Sequence, residues 1–226
     1  MGWFDSRWMK EAKKELEIAE RTFGPSHAEV AKALESVAWA HYLDTNIEMA
    51  EKTGERALAM QEKELDPDHP SVAHTLHSLG RFCDAQISKE VLKGVKGDVV
   101  LLQAVFKKQC LRYERCLAIR EKAFEAEDPR WETDRDGVYV SPAEDVARTM
   151  SDLGYSYCGS VAVGHARESV ETRTTGAMRE TVDKGLRLLE RALATQESIA
   201  HPDDHSLKET RWRLQDIRQA RMGGEI

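Results

Sequence analysis

Eight histidines and 40 aspartates and glutamates in 226 residues supply the raw material for metal binding or acid–base chemistry. His74 and His77 stand three residues apart, so on a helix both imidazoles share one face, with His69 and His41 as further nitrogens. A zinc site needs a third or fourth ligand in fixed geometry, and no acidic or cysteine spacing provides one. No metal or cofactor is therefore expected. Cys83, Cys110, Cys116 and Cys158 are scattered without a C-x-x-C pair and read as reduced, buried thiols. KGVKGD at 93–98 lacks the glycine–lysine order of a phosphate cradle and reads as a loop. Gly164 to Gly176 holds His165, Glu168 and Ser169, but not in the order of a nucleophile, base and orienting acid. WETDRDGVYV at 131–140 places a D-G turn signal before alternating apolar residues, as a short hairpin would. No residue is assigned to catalysis.

Composition fits an ordered chain that folds in water: 41% hydrophobic, 32% charged and 7% aromatic. The net charge of −7 provides no basic field to hold a nucleic-acid backbone. Val99 to Phe106 is the strongest apolar run and is far too short to span a bilayer. The first ten residues lack the apolar core of a signal peptide, so the expected location is cytoplasmic. Gly2 and Ser6 match the loose myristoylation pattern, although one acyl chain anchors only marginally.

The elements that must position any site are given by self-similarity. ERALAMQEKELDPDHP from Glu55, ERCLAIREKAFEAEDP from Glu114 and ERALATQESIAHPDDH from Glu190 nearly superimpose. Each reads as an amphipathic helix running into a turn. VAKALESVAWAHY from Val30, VAHTLHSLGRFCD from Val72 and VARTMSDLGYSYC from Val146 read as partner helices. Ser26 with Glu29, and Ser141 with Glu144, have capping-box spacing, and Pro70 and Pro142 suit first helical positions. Pro25 to Pro67 and Val30 to Val72 both span 42 residues, whereas Arg56 to Arg115 spans 59 and Arg115 to Arg191 spans 76. The excess falls between helical blocks, where added residues cost little loop entropy, so it is expected as loops.

These blocks resemble tetratricopeptide repeats, specifically the 42-residue form of kinesin light chains. His27 to Pro70 aligns with one such unit without a gap, and Met150-x-x-Leu153-Gly154-x-x-Tyr157 follows the repeat's large-large-small-large pattern. Small residues fall where helices must approach closely: Ala38, Gly80 and Gly154 in first helices, and Ala57, Cys116 and Ala192 in second helices. His41 and Cys83 stand where Tyr is usual, Gln109 where Ala is usual, and Gly54 where a large residue is usual. The resemblance implies an all-α, right-handed superhelical solenoid of antiparallel helix pairs. One domain over 1–226 is expected, with a half-repeat at 3–26 and repeats at 27–68, 69–127 and 143–203. Insertions are expected near 87–104, over 128–142 and near 159–178, and a capping helix over 204–221.

The same resemblance implies a non-enzymatic scaffold or adaptor that binds a peptide or helix of another protein in a concave groove. Its groove positions are Lys32, Glu35, Trp39 and Tyr42 in the first unit, His74, His77, Arg81 and Asp84 in the second, and Arg148, Ser151 and Tyr155 in the third. Lys32, Arg81 and Arg148 suit a carboxylate or phosphate, and Trp39, Tyr42 and Tyr155 suit an apolar anchor. The implied ligand is an acidic peptide with an aromatic or aliphatic side chain. Two other readings stand beside this one. An apolar stripe including Trp3, Phe4 and Trp8 would favour homo-oligomers. Insertions closing a deep pocket around a perturbed acid–base pair would favour an enzyme.

Overall fold

The computed structural model of the chain describes residues 3–93, 98–128, 141–165, 176–201 and 203–222, apart from the side chains of 3–6 and 163–165. Gly2, the 131–140 segment, and the Glu168 and Ser169 pair lie outside the described residues. Eight helices occupy the described residues, with no strand among them. They are α1 (Trp3–Phe23), α2 (Ala28–Leu43), α3 (Ile47–Glu64), α4 (Pro70–Val91), α5 (Val99–Glu125), α6 (Pro142–His165), α7 (Gly176–Ile199) and α8 (His205–Met222). The chain divides into two compact units, Met1–Ser88 and Lys89–Ile226. None of the described helices is long and apolar enough to cross a membrane.

Helix starts follow local chemistry, with one correction. Ser141 Oγ accepts from the Glu144 amide at 3.1 Å, as its spacing predicts, and Pro142 opens α6. Ser26 does not cap α2. His27 does, its Nδ1 accepting from the Glu29 amide at 3.2 Å. Asp204, the matching residue before α8, accepts from the Leu207 amide at 3.0 Å, and the equivalent His69 accepts from the Ser71 amide at 3.1 Å. A ring nitrogen one residue nearer the helix thus satisfies an amide that the serine was expected to take.

The stretches expected as insertions are partly helical. α4 continues to Val91, α5 begins at Val99, α6 continues to His165, and α7 begins at Gly176. The reason in α5 is an unbroken helical period of buried positions, apolar except for Gln109: Leu102, Val105, Phe106, Gln109, Cys110 and Tyr113 are all buried. Asp98 caps this start by accepting from the amides of Val100 and Leu101. Helix continuation satisfies backbone groups that a loop would leave to solvent.

In the first unit, Ala12, Leu16 and Ala19 of α1 pack on Val30, Ala33, Leu34 and Val37 of α2, with Ala57 and Met60 of α3 beside them. In the second, Tyr113, Met150, Leu153, Leu188 and Ala192 join α5, α6 and α7, while Leu189, Leu214 and Ile217 join α7 to α8. Of the small residues expected at close approaches, Gly154 sits at a tight one. A Cβ on Gly154 would lie 2.7 Å from the Gly185 carbonyl oxygen, and one on Gly185 would lie 2.6 Å from the Gly154 oxygen. Gly54 is small because Leu79 takes the space: a Cβ there would meet Leu79 Cδ2 at 2.8 Å.

Candidate functional site

The first unit brings several of the expected groove residues to one face of α2 and α4. Trp39 and Tyr42 are half-buried and pack edge to face at 5.2 Å, and Phe82 contacts both rings at 5.3 Å. The Trp39 indole N–H donates to Ser78 Oγ at 3.1 Å, which fixes the ring while leaving part of it open. The exposed Arg81 guanidinium lies 5.6 Å from the Trp39 ring centre and makes no ion pair among the described residues. Lys32 and Asp84 are also exposed on these helices.

Glu35 and His77 depart from expectation, since both are buried. Glu35 Oε2 accepts from the Thr75 hydroxyl at 2.9 Å, Oε1 accepts from Ser78 at 3.0 Å, and the half-exposed His74 Nε2 stands 3.0 Å from Oε1. This carboxylate joins α2 to α4 and is not presented to a ligand. His74 turns to Glu35. Among the described residues no three His, Cys, Asp or Glu side chains converge to hold a metal.

In the second unit, Ser151 is likewise buried, accepting from Thr210 at 2.9 Å and from Arg213 at 3.0 Å. Arg148 is half-exposed, but Glu144 at 2.9 Å and Asp145 at 3.9 Å on its own helix already meet its charge. Tyr155 is half-buried between α6 and α8, with the Arg213 guanidinium 5.3 Å from its ring and Trp212 6.0 Å away. Arg213 is itself held by Asp152 at 2.6 Å.

The contacts recur with the sequence blocks. Glu35 and Ser151 occupy matching positions, as do Thr75 and Thr210, and each pair is hydrogen-bonded between successive first helices. Gln61, Arg120 and Gln196 also match, and all three are buried polar residues in second helices. Arg120 reaches the Asp145 carbonyl of the following first helix, and Gln196 reaches Ser206. Residues 30–71 match the tetratricopeptide repeat family. The fold is similar to that of a putative kinesin light chain from Podosopora anserina with nearly identical TPR-like repeats, at TM-score 0.59 and 16% identity over 97% of this chain and 84% of that one. A single-substitution variant of that protein matches with the same values. This is a tetratricopeptide-repeat fold of the kinesin-light-chain-like type. No curated protein matches the chain in sequence.

Tetratricopeptide repeats are a protein-interaction architecture, and families of this type are typically non-enzymatic scaffolds. Within this fold, sequence reasoning missed Arg213 and Trp212, because α8 reads as a cap. The R-W-R run at 211–213 is the signal that was available. It also missed the buried polar series at 61, 120 and 196, visible in the residue that ends ERALAMQ, ERCLAIR and ERALATQ.

Burial is the largest cause of the shifts at Cys116, Cys158, Tyr157 and His41. Burial raises the Cys116 thiol and pushes Cys158 up to about 12, which keeps both protonated near neutrality. Burial, reinforced by a hydrogen bond to Glu114, raises the Tyr157 phenol. Burial lowers the His41 imidazole, Lys13 lowers it further, and Asp44 opposes them.

Proposed function

We propose that the protein is a cytoplasmic adaptor that binds an acidic peptide or helix segment with an apolar anchor, on the face of α2 and α4. The observation that carries this reading is Arg81, exposed and outside any ion pair among the described residues, beside the half-open rings of Trp39 and Tyr42. A carboxylate on the guanidinium gains charge-assisted hydrogen bonds, while an aliphatic or aromatic neighbour covers the indole and phenol. Preformed helices leave most of the ordering cost with the ligand. Arg148 contributes less, because an incoming acid must compete with Glu144 and Asp145.

A peptide-library pull-down with wild type, Arg81→Glu and Arg148→Glu tests this. One acidic, anchor-bearing class is expected to be lost with Arg81→Glu, about tenfold or more, and largely kept with Arg148→Glu. Identical profiles for wild type and Arg81→Glu overturn the reading. Self-association is a second reading, favoured by Trp8, Ile18 and Phe23, which are each about half exposed on α1. Light scattering on the eluting protein separates the two.

A further inference from the structure

Three helices of the second unit converge on a feature that the peptide-binding reading does not use. The first half of α5, the last described turns of α6 and the early turns of α7 border an open cleft of about 340 Å³. That volume is near the lower end of the range for ligand pockets, roughly 300–1,000 Å³, and suits one or two side chains better than a large cofactor. Tyr157 lines it, two residues along α6 from Tyr155 and therefore on nearly the opposite side of that helix.

The polar groups around the cleft define the charge it accepts. Glu114 lines it, but its carboxylate accepts from the Tyr157 hydroxyl and pairs with Lys184 at 3.3 Å. Lys184 also donates to the Tyr157 oxygen at 2.5 Å and lies 4.4 Å from its ring centre. The acid is thus neutralised within the wall. The Ser160 and Thr181 hydroxyls donate to carbonyls of their own helices, at 2.7 Å from Tyr157 O and 2.9 Å from Ala177 O. Lys107 lines the cleft, is exposed, and makes no ion pair among the described residues. Four residues on, and so on the same helical face, Leu111 is 57% exposed and also lines the cleft. One available cation next to one available apolar surface requires a matching pair from the occupant.

We propose that this cleft is a second docking site, which takes a carboxylate side chain of a partner protein on Lys107 and an adjacent aliphatic side chain on Leu111. It is independent of the Arg81 face and stands or falls separately. The test titrates the full ¹⁵N-labelled chain with acetyl-Leu-Glu-amide and with its neutral counterpart acetyl-Leu-Gln-amide, following backbone amide shifts. Saturable shifts are expected at Leu111 and Thr181, with the acidic dipeptide binding about threefold to fivefold more tightly. Lys107→Gln is expected to abolish that preference, and Arg81→Glu to leave it unchanged. Lys107 is exposed, so far-UV circular dichroism of the variant should match wild type. Absence of binding, equal affinity for the two dipeptides, a preference that survives Lys107→Gln, or one that disappears with Arg81→Glu each overturns the proposal.

Discussion

Glu35 is a groove position by repeat register, yet it is fully buried and spends its charge inside the protein. A carboxylate removed from water needs hydrogen bonds to the charged form, and Thr75, Ser78 and His74 stand where they can give them. Ser151 meets the same fate through Thr210 and Arg213. His41 shows the reverse case, an imidazole whose burial and nearby Lys13 favour the neutral form. Its folded pKa lies below the unfolded value of 6.5. As pH falls through about 6.5 the unfolded chain therefore takes up the proton first, and stability declines until the folded value is passed. In thermal melts, the drop in Tm between pH 7.5 and pH 5.5 should be smaller for His41→Gln than for wild type. An equal or larger drop would mean that His41 does not contribute in this direction.

At the scale of the elements, the α6–α7 crossing depends on two glycines whose backbones touch. The contact that a Gly154 Cβ would make is with the Gly185 carbonyl and the Leu189 amide, neither of which is a flexible side-chain end that can turn aside. Gly154→Ala should therefore cost about 1–3 kcal/mol through overpacking, despite alanine's better helix propensity. Gly54→Ala meets the Leu79 methyl instead and should cost less. Chemical denaturation of both variants gives the comparison, and a Gly154→Ala protein as stable as wild type would show that the helices separate freely. The extended helices follow from the same packing. Phe106 fills the space against Gly159, where a Cβ would lie 2.8 Å from the ring. Residues expected as loop are thus drawn into the core as helix.

For the molecule as a whole, α8 has a first-helix pattern on one side only. Leu207, Thr210, Leu214 and Ile217 are buried, as their counterparts are in α4. Lys208, Arg211, Gln215 and Arg218 are exposed, whereas the matching Ala73, Leu76, Gly80 and Cys83 are buried. Arg211 pairs with Glu197 and Arg218 pairs with Glu190, holding the charged side in water. Restoring the apolar type with Lys208→Ala and Arg211→Leu should create an exposed apolar stacking surface on α8, and light scattering should then show concentration-dependent association. A variant that stays at the wild-type mass would show that these charges do not limit stacking. The all-α repeat class, the helix-forming blocks, the turn histidine at 69 and the close-approach glycine at 154 were legible in the chain, because each depends on a local period or on a residue type that backbone geometry requires. Only tertiary structure decided that Glu35 and Ser151 are sealed between first helices, that Arg81 lies open beside Trp39 while Arg148 is already paired, and that inserted stretches prolong helices beside a cleft. Those outcomes depend on which neighbours compete for a side chain, and the neighbours come from positions as much as 70 residues away in the chain, as in the Lys184–Glu114 pair.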